Sequence, residues 1–258
     1  MLLAGRNAVV YGAGGSVGGA VARAFAREGA RVFLAGRTRA RLEAVADAIR
    51  EAGGDAETAT VDALDEASVD EHADAVVAAA GSLDVSFNAI SVDHLQTALR
   101  SLSVEEVVRP IADRIETHLI TARAAARHMT PAGSGVILMF SADAARIPYP
   151  AIGGFGVACA VVEALSRSLA AELGPSGVRV VCLRSMGSPE SEGVADVWEQ
   201  HFGADGANDV TATRAAGTLL GRTPTVAEVG NVAALMASDL ASPLTAVVVN
   251  VACGEIAD

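Results

Sequence analysis

The chain has 258 residues, about half of them apolar and few aromatic, which suffices for one large core of Ala, Val and Leu. Its net charge of −12 argues against a basic nucleic-acid face and against docking on an anionic membrane surface. All 19 basic residues are arginine, so any chemistry that needs a lysine is excluded.

In chain order, short apolar runs alternate with helical stretches. "NAVVYG" at 7–12 reads as a strand ending in glycine, and "VGGAVARAFAREGA" follows with helical spacing. Residues 31–36 form a second strand, then a helix closed by Gly53 and Gly54. A third strand at 56–63, a helix beginning at Glu66 and a fourth strand at 83–90 come next. A long helix is expected over 104–130, a fifth strand over 135–142 and a helix over 154–173. Strands at 178–185 and 245–252 complete seven. Fully apolar strands separated by helices imply an α/β fold, a Rossmann-type doubly wound, mostly parallel sheet with helices on both faces.

Nothing in residues 1–258 marks a linker or repeat, so a single dinucleotide-binding domain is expected. Residues 186–217 break the rhythm: polar, Gly-rich and holding the only Trp, they read as a substrate-capping segment, with Trp198 and Phe202 available to line a pocket. The three cysteines lie far apart without metal-ligand spacing, so reduced thiols and no metal site are expected. No apolar run reaches the ~18 residues of a membrane span. The N-terminus enters a strand without a leader-like segment, and a cytoplasmic protein is expected.

The stretch "VVYGAGGSVGG" places glycines between a strand and a helix, where backbone amides and the helix N-terminus can cradle a pyrophosphate. Gly12 permits the turn, Gly14 and Gly15 close approach, and Gly18 helix–strand packing, with Ser16 and Val17 between them. At the end of the second strand "AGRTRAR" offers Arg37 and Thr38 and no carboxylate. A guanidinium there suits a 2′-phosphate, so NADP(H) is favoured over NAD(H).

By these motifs the chain resembles the short-chain dehydrogenase/reductase family over essentially its whole length. Its glycine pattern resembles TGxxxGxG, with Tyr11 for Thr and Ser16 for the middle Gly. "VDALD" is similar to the adenine-side segment, placing Asp62 near the base, and "FNAIS" resembles NNAG, with Asn88 kept and Ala89 for the second Asn. "LLGRTPTVAEVGNVAALMASDLASPLTAVVVNVACG" resembles the C-terminal signature, with Ala246 and Cys253 for usual glycines. The resemblance implies a homotetramer or homodimer formed through the two long helices and the last strand, and a small-molecule substrate.

It also implies a catalytic Tyr-x-x-x-Lys, with a Ser about thirteen residues earlier. Aligned on "ALSRSLAAEL", those positions hold Phe155, Cys159 and Ala142, and the supporting Asn of the preceding helix is absent, with only Arg114 and His118 nearby. The only tyrosines are Tyr11 and Tyr149, so no shift of frame restores the pair. The substitute proton donors are Ser141 and Tyr149 first, then Asp143, His118 and His94; Cys159 reads better as a packing residue than a nucleophile. Three readings stay open: an NADP(H)-dependent oxidoreductase of a carbonyl, enone or imine; a non-reductive cyclase, isomerase or lyase; and a silent NADP-binding sensor or partner subunit.

Overall fold

The computed structural model describes residues 1–92 and 96–257, the side chains of 200–205, 207 and 208 excepted. His94 and the side chain of Phe202 therefore lie outside the described residues. The elements alternate as β1 (Asn7–Tyr11), α1 (Ser16–Arg27), β2 (Arg31–Gly36), α2 (Arg39–Glu51), β3 (Asp55–Thr60), α3 (Glu66–Ala80) and β4 (Val85–Asn88). Then come α4 (Val104–Ala132), β5 (Gly135–Ala142), α5 (Phe155–Leu173), β6 (Val178–Ser185), α6 (Glu192–Ala216), α7 (Val226–Ala237) and β7 (Val247–Val251).

The seven strands form one sheet in the order β3-β2-β1-β4-β5-β6-β7. Every pairing is parallel, where a mostly parallel sheet was expected. This is the doubly wound arrangement, with a topological switch between β1 and β4. On one face Val21 and Phe25 of α1, Leu42 and Ile49 of α2 and Ala233 and Met236 of α7 pack on Val10, Leu34 and Leu138. On the other, Val69 and Val76 of α3, Ala125 and Met129 of α4 and Val162 and Leu169 of α5 pack on Val9, Phe33 and Ile137. β1 is buried along its whole length, as the apolar run requires.

Local chemistry sets the helix ends. Ser103 and Glu106 close a capping box at the start of α4, and Thr225 and Glu228 do so for α7. Residues 186–217, whose polar, Gly-rich composition breaks the strand–helix rhythm, contain the 25-residue helix α6. Its polar composition and three glycines disguise it, since glycine weakens a helix by ~1 kcal/mol. No helix among the described residues is long and apolar enough to cross a membrane.

Candidate functional site

β1 ends at Tyr11 and the chain turns at Gly12, whose φ of +77° needs glycine. A side chain at Gly18 would place its Cβ 2.2 Å from the Gly12 carbonyl oxygen, so helix and turn meet backbone to backbone. At Gly14 a Cβ would stand 2.9 Å from the Arg41 Cβ, and at Gly15 it would be 3.4 Å from the Gly12 oxygen. Gly15 caps α1 without any side-chain acceptor, which leaves the first-turn amides for a ligand. Val17 is turned to the core, whereas the Ser16 hydroxyl accepts from the Glu192 amide at 3.2 Å. The start of α6 thus rests on the glycine cradle, with Arg41 3.7 Å from Glu192.

The neighbouring strand ends frame the same crevice. A Cβ on Gly12 would lie 3.0 Å from the carbonyl carbon of Ala89, so β1 and β4 approach closely at the switch point. Asn88 is buried, its amide donating to the Thr117 carbonyl and Thr121 hydroxyl of α4. Its oxygen accepts from the Ile90 amide, which fixes the turn after β4. Beyond β2, Arg37 and Thr38 are exposed, and Thr38 starts α2 without a side-chain cap. Arg39 pairs with Glu43, while Arg37 makes no ion pair among the described residues. Asp62, exposed after β3, accepts from the Leu64 amide. Together Gly12, Gly14, Gly15, Ser16 and Gly18 fit a pyrophosphate, and Arg37 a further anion.

At the carboxyl end of β5 the hydroxyl of Ser141 is fully buried and turned toward α5. It lies within donating distance of Glu163 Oε1 at 3.1 Å and the Cys159 carbonyl at 3.2 Å. Glu163 is itself held by Arg184 in a two-point pair of 2.7 and 2.6 Å. Ala142 follows as the half-buried last residue of β5. Phe155 opens α5 half-buried, and the Arg114 guanidinium from α4 stands 5.8 Å from its ring centroid. Cys159 is buried one turn on, and burial pushes its thiol up, so it stays protonated. His118 is buried without a hydrogen bond to either ring nitrogen, and desolvation holds it well below the usual imidazole range.

A second cluster gathers beside this one. The Tyr149 hydroxyl is 2.8 Å from Asp143 Oδ2 and 3.2 Å from Glu255 Oε1. Arg214, from the last turn of α6, pairs with Asp143 and lies 3.3 Å from Glu255. Its guanidinium also stands 5.0 Å from the Tyr149 ring and 5.7 Å from that of Trp198. Burial and the Asp143 charge push the Tyr149 phenol above its ordinary value. The same two causes raise the Glu255 carboxyl to about 7, against the opposing pull of Arg214. Sequence reasoning found Tyr149 and Asp143 but missed Arg214 and Glu255, which no local motif marks.

Known proteins resemble the chain over nearly its whole length. The family profile described as Enoyl-(Acyl carrier protein) reductase matches residues 12–255. The chain is 34% identical over 237 residues to cis-4-hydroxycyclohexanecarboxylate dehydrogenase of Sinomonas cyclohexanicum, covering 92% of this chain and 91% of that protein. A short-chain type dehydrogenase/reductase from Mycobacterium ulcerans superposes with a TM-score of 0.89 at 27% identity, covering 99% of this chain and 91% of that one. NAD+-bound xylitol dehydrogenase shares the fold, with a TM-score of 0.91 at 23% identity over 98% and 100% of the two chains. The chain belongs to the short-chain dehydrogenase/reductase family and is an oxidoreductase of that type. Members of this family bind a nicotinamide dinucleotide, and the glycine cradle here fits one.

Proposed function

We propose that the chain is an NADP(H)-dependent oxidoreductase of a small carbonyl, enone or imine that works without the family's Tyr–Lys pair. Arg37 carries the choice of dinucleotide. It is an exposed guanidinium at the end of β2 with no ion pair among the described residues, while its neighbours Arg39 and Arg41 are engaged by Glu43 and Glu192. No carboxylate stands at 36–41 to hold a ribose 2′-hydroxyl. In this reading the open first turn of α1 and Gly12 hold the pyrophosphate. Arg37 and Thr38 hold the 2′-phosphate, Asp62 faces the base, and Asn88 and Ala89 shape the crevice at the switch point.

When bound, the dinucleotide supplies hydride chemistry; the chain positions the substrate and manages charge. Phe155 can neither give nor take a proton, and the raised thiol of Cys159 supplies no positive charge. The hydroxyls of Ser141 and Tyr149 both lie against carboxylates, so in this reading Ser141 ties β5 to α5, Tyr149 anchors the loop after β5, and solvent water supplies the proton. Residues 186–217 act as the cap, because α6 is fastened at both ends of the crevice, to Ser16 and to Asp143. A relative that acts on a hydroxylated ring carboxylate favours a small alcohol, or the matching ketone, as substrate. By family resemblance the working form is a homodimer or homotetramer.

Fluorescence titration with NADPH and NADH tests the reading. NADPH is expected to bind at least tenfold more tightly, and Arg37→Ala to remove that preference. A charge-assisted contact of ~1.5–3 kcal/mol corresponds to about 10–100-fold. Equal affinities in the parent would contradict the choice of dinucleotide.

A further inference from the structure

Two arginines are buried among the described residues, and they differ in one respect. Arg184 meets Glu163 in a two-point pair. Arg114, also buried, has no carboxylate within ion-pair distance among the described residues. Its Nη2 donates to the Phe140 carbonyl at 3.0 Å, and its buried Nε has no partner. His118, one turn along α4, is also without partners, and burial holds its ring neutral, so it brings no compensating charge.

A guanidinium stays charged at any ordinary pH. Burying it without a counter-ion is costly, and among the described residues only the Phe140 carbonyl and the face of Phe155 offset that cost. The place is specific as well. Arg114 stands against Phe155, at the head of α5 and beside the end of β5, where the family keeps its proton donor.

We infer that Arg114 is the site's oxyanion-binding group, holding the reacting oxygen of the substrate in place of a phenol at position 155. This rests on the oxidoreductase reading above and narrows its substrate class. Hydride addition to a carbonyl carbon, or to the β-carbon of an enone, drives an electron pair onto oxygen. Arg114 then faces the resulting alkoxide or enolate, and water gives the proton and leaves as hydroxide. The substrate gains two electrons and the dinucleotide is left oxidised. An iminium ion carries positive charge, and the same guanidinium repels it, so imines drop out of the class. A fixed cation aimed at developing negative charge in a dry site is an effective form of transition-state stabilisation.

Benzoate, benzamide and benzamidine, which share a shape and differ in charge, are the probes. Each is titrated calorimetrically against the parent, Arg114→Met and Arg114→Lys, with and without NADPH. The parent is expected to bind benzoate at least tenfold more tightly than benzamide, and benzamidine most weakly. Arg114→Met should lose the benzoate preference while its melting temperature stays level or rises, since an unpaired buried charge has been removed. Arg114→Lys should recover part of it. A parent that binds benzoate no better than benzamide overturns the assignment, and that comparison needs no variant. So does an Arg114→Met protein that keeps its benzoate affinity, melts markedly lower or fails to fold, each of which marks a structural cation. The NADPH titration judges the oxidoreductase reading separately: a parent that prefers benzoate but binds no dinucleotide supports the Arg114 assignment and contradicts that reading.

Discussion

Phe155 and Arg114 are the two residues on which the proposed site turns. The phenyl ring occupies the head of α5, and a guanidinium approaches it from α4 at 5.8 Å. A cation at that range favours an ionised phenol and so lowers its pKa. Phe155→Tyr alone is therefore expected to raise the rate of NADPH-dependent ketone reduction by at least ~10²-fold, the usual range for acid assistance being ~10²–10⁴. Stopped-flow absorbance of NADPH with a simple cyclic ketone measures it, and an unchanged rate would show that position 155 lies away from the reacting oxygen. At this scale the sequence was readable wherever the constraint is local. Gly12 and Gly18 announce themselves because a turn at φ +77° favours glycine and a backbone contact that a Cβ would bring to 2.2 Å admits nothing larger. The charge partners of Tyr149 were not readable, because Glu255 lies 106 residues away in the chain and meets it only through the fold.

Among the elements, α6 departs furthest from its sequence signal. Its polar, Gly-rich composition breaks the strand–helix rhythm, yet its two ends are fixed by contacts made elsewhere: Ser16 in the glycine cradle and Asp143 after β5. Such tertiary anchoring overrides propensity, which is why a polar, Gly-bearing segment forms a 25-residue helix. The anchor at its C-terminal end also carries a pH dependence. The Glu255 carboxyl rises from 4.5 to about 7 in the folded state, so the fold holds a proton that the unfolded chain has released. The associated stability is complete below about 4.5 and is lost as the pH climbs through about 7. Melting curves between pH 4.5 and 8 should show a decline in the parent that Glu255→Gln flattens, because the amide cannot ionise. An identical slope in both proteins would remove Glu255 from the latch. The strands were more legible than α6: apolar runs at 31–36, 135–142 and 178–185 match β2, β5 and β6 residue for residue. The third and last strands are shorter than their apolar signals, at Asp55–Thr60 and Val247–Val251. The fourth strand is shortened as well, to Val85–Asn88, although it pairs on both sides, so the strand ends are set by the turns that follow and not by edge position alone.

For the whole molecule, the sheet order brings the ends of β1, β2, β4 and β5 to one rim, and the candidate site is built there from segments far apart in sequence. The alternation of apolar runs and helices made this architecture readable, because a parallel sheet needs crossovers that cover both faces. The chemistry was only half readable. Residues missing from a motif can be seen in a sequence, but what takes their place depends on which helix delivers a charge to the rim. Here α4 brings Arg114 to the residue where α5 begins. The central claim is that this rim still passes hydride between a dinucleotide and a carbonyl oxidation level without a Tyr–Lys pair. The direct test incubates the protein with NADPH deuterated at the transferring C4 position and a panel of ketones, enones and imines, followed by mass spectrometry of the products. Deuterium on the carbonyl carbon of a ketone or the β-carbon of an enone, with none in the imine products, is the predicted result. NADPH that binds tightly yet transfers no deuterium to any member of the panel would contradict it.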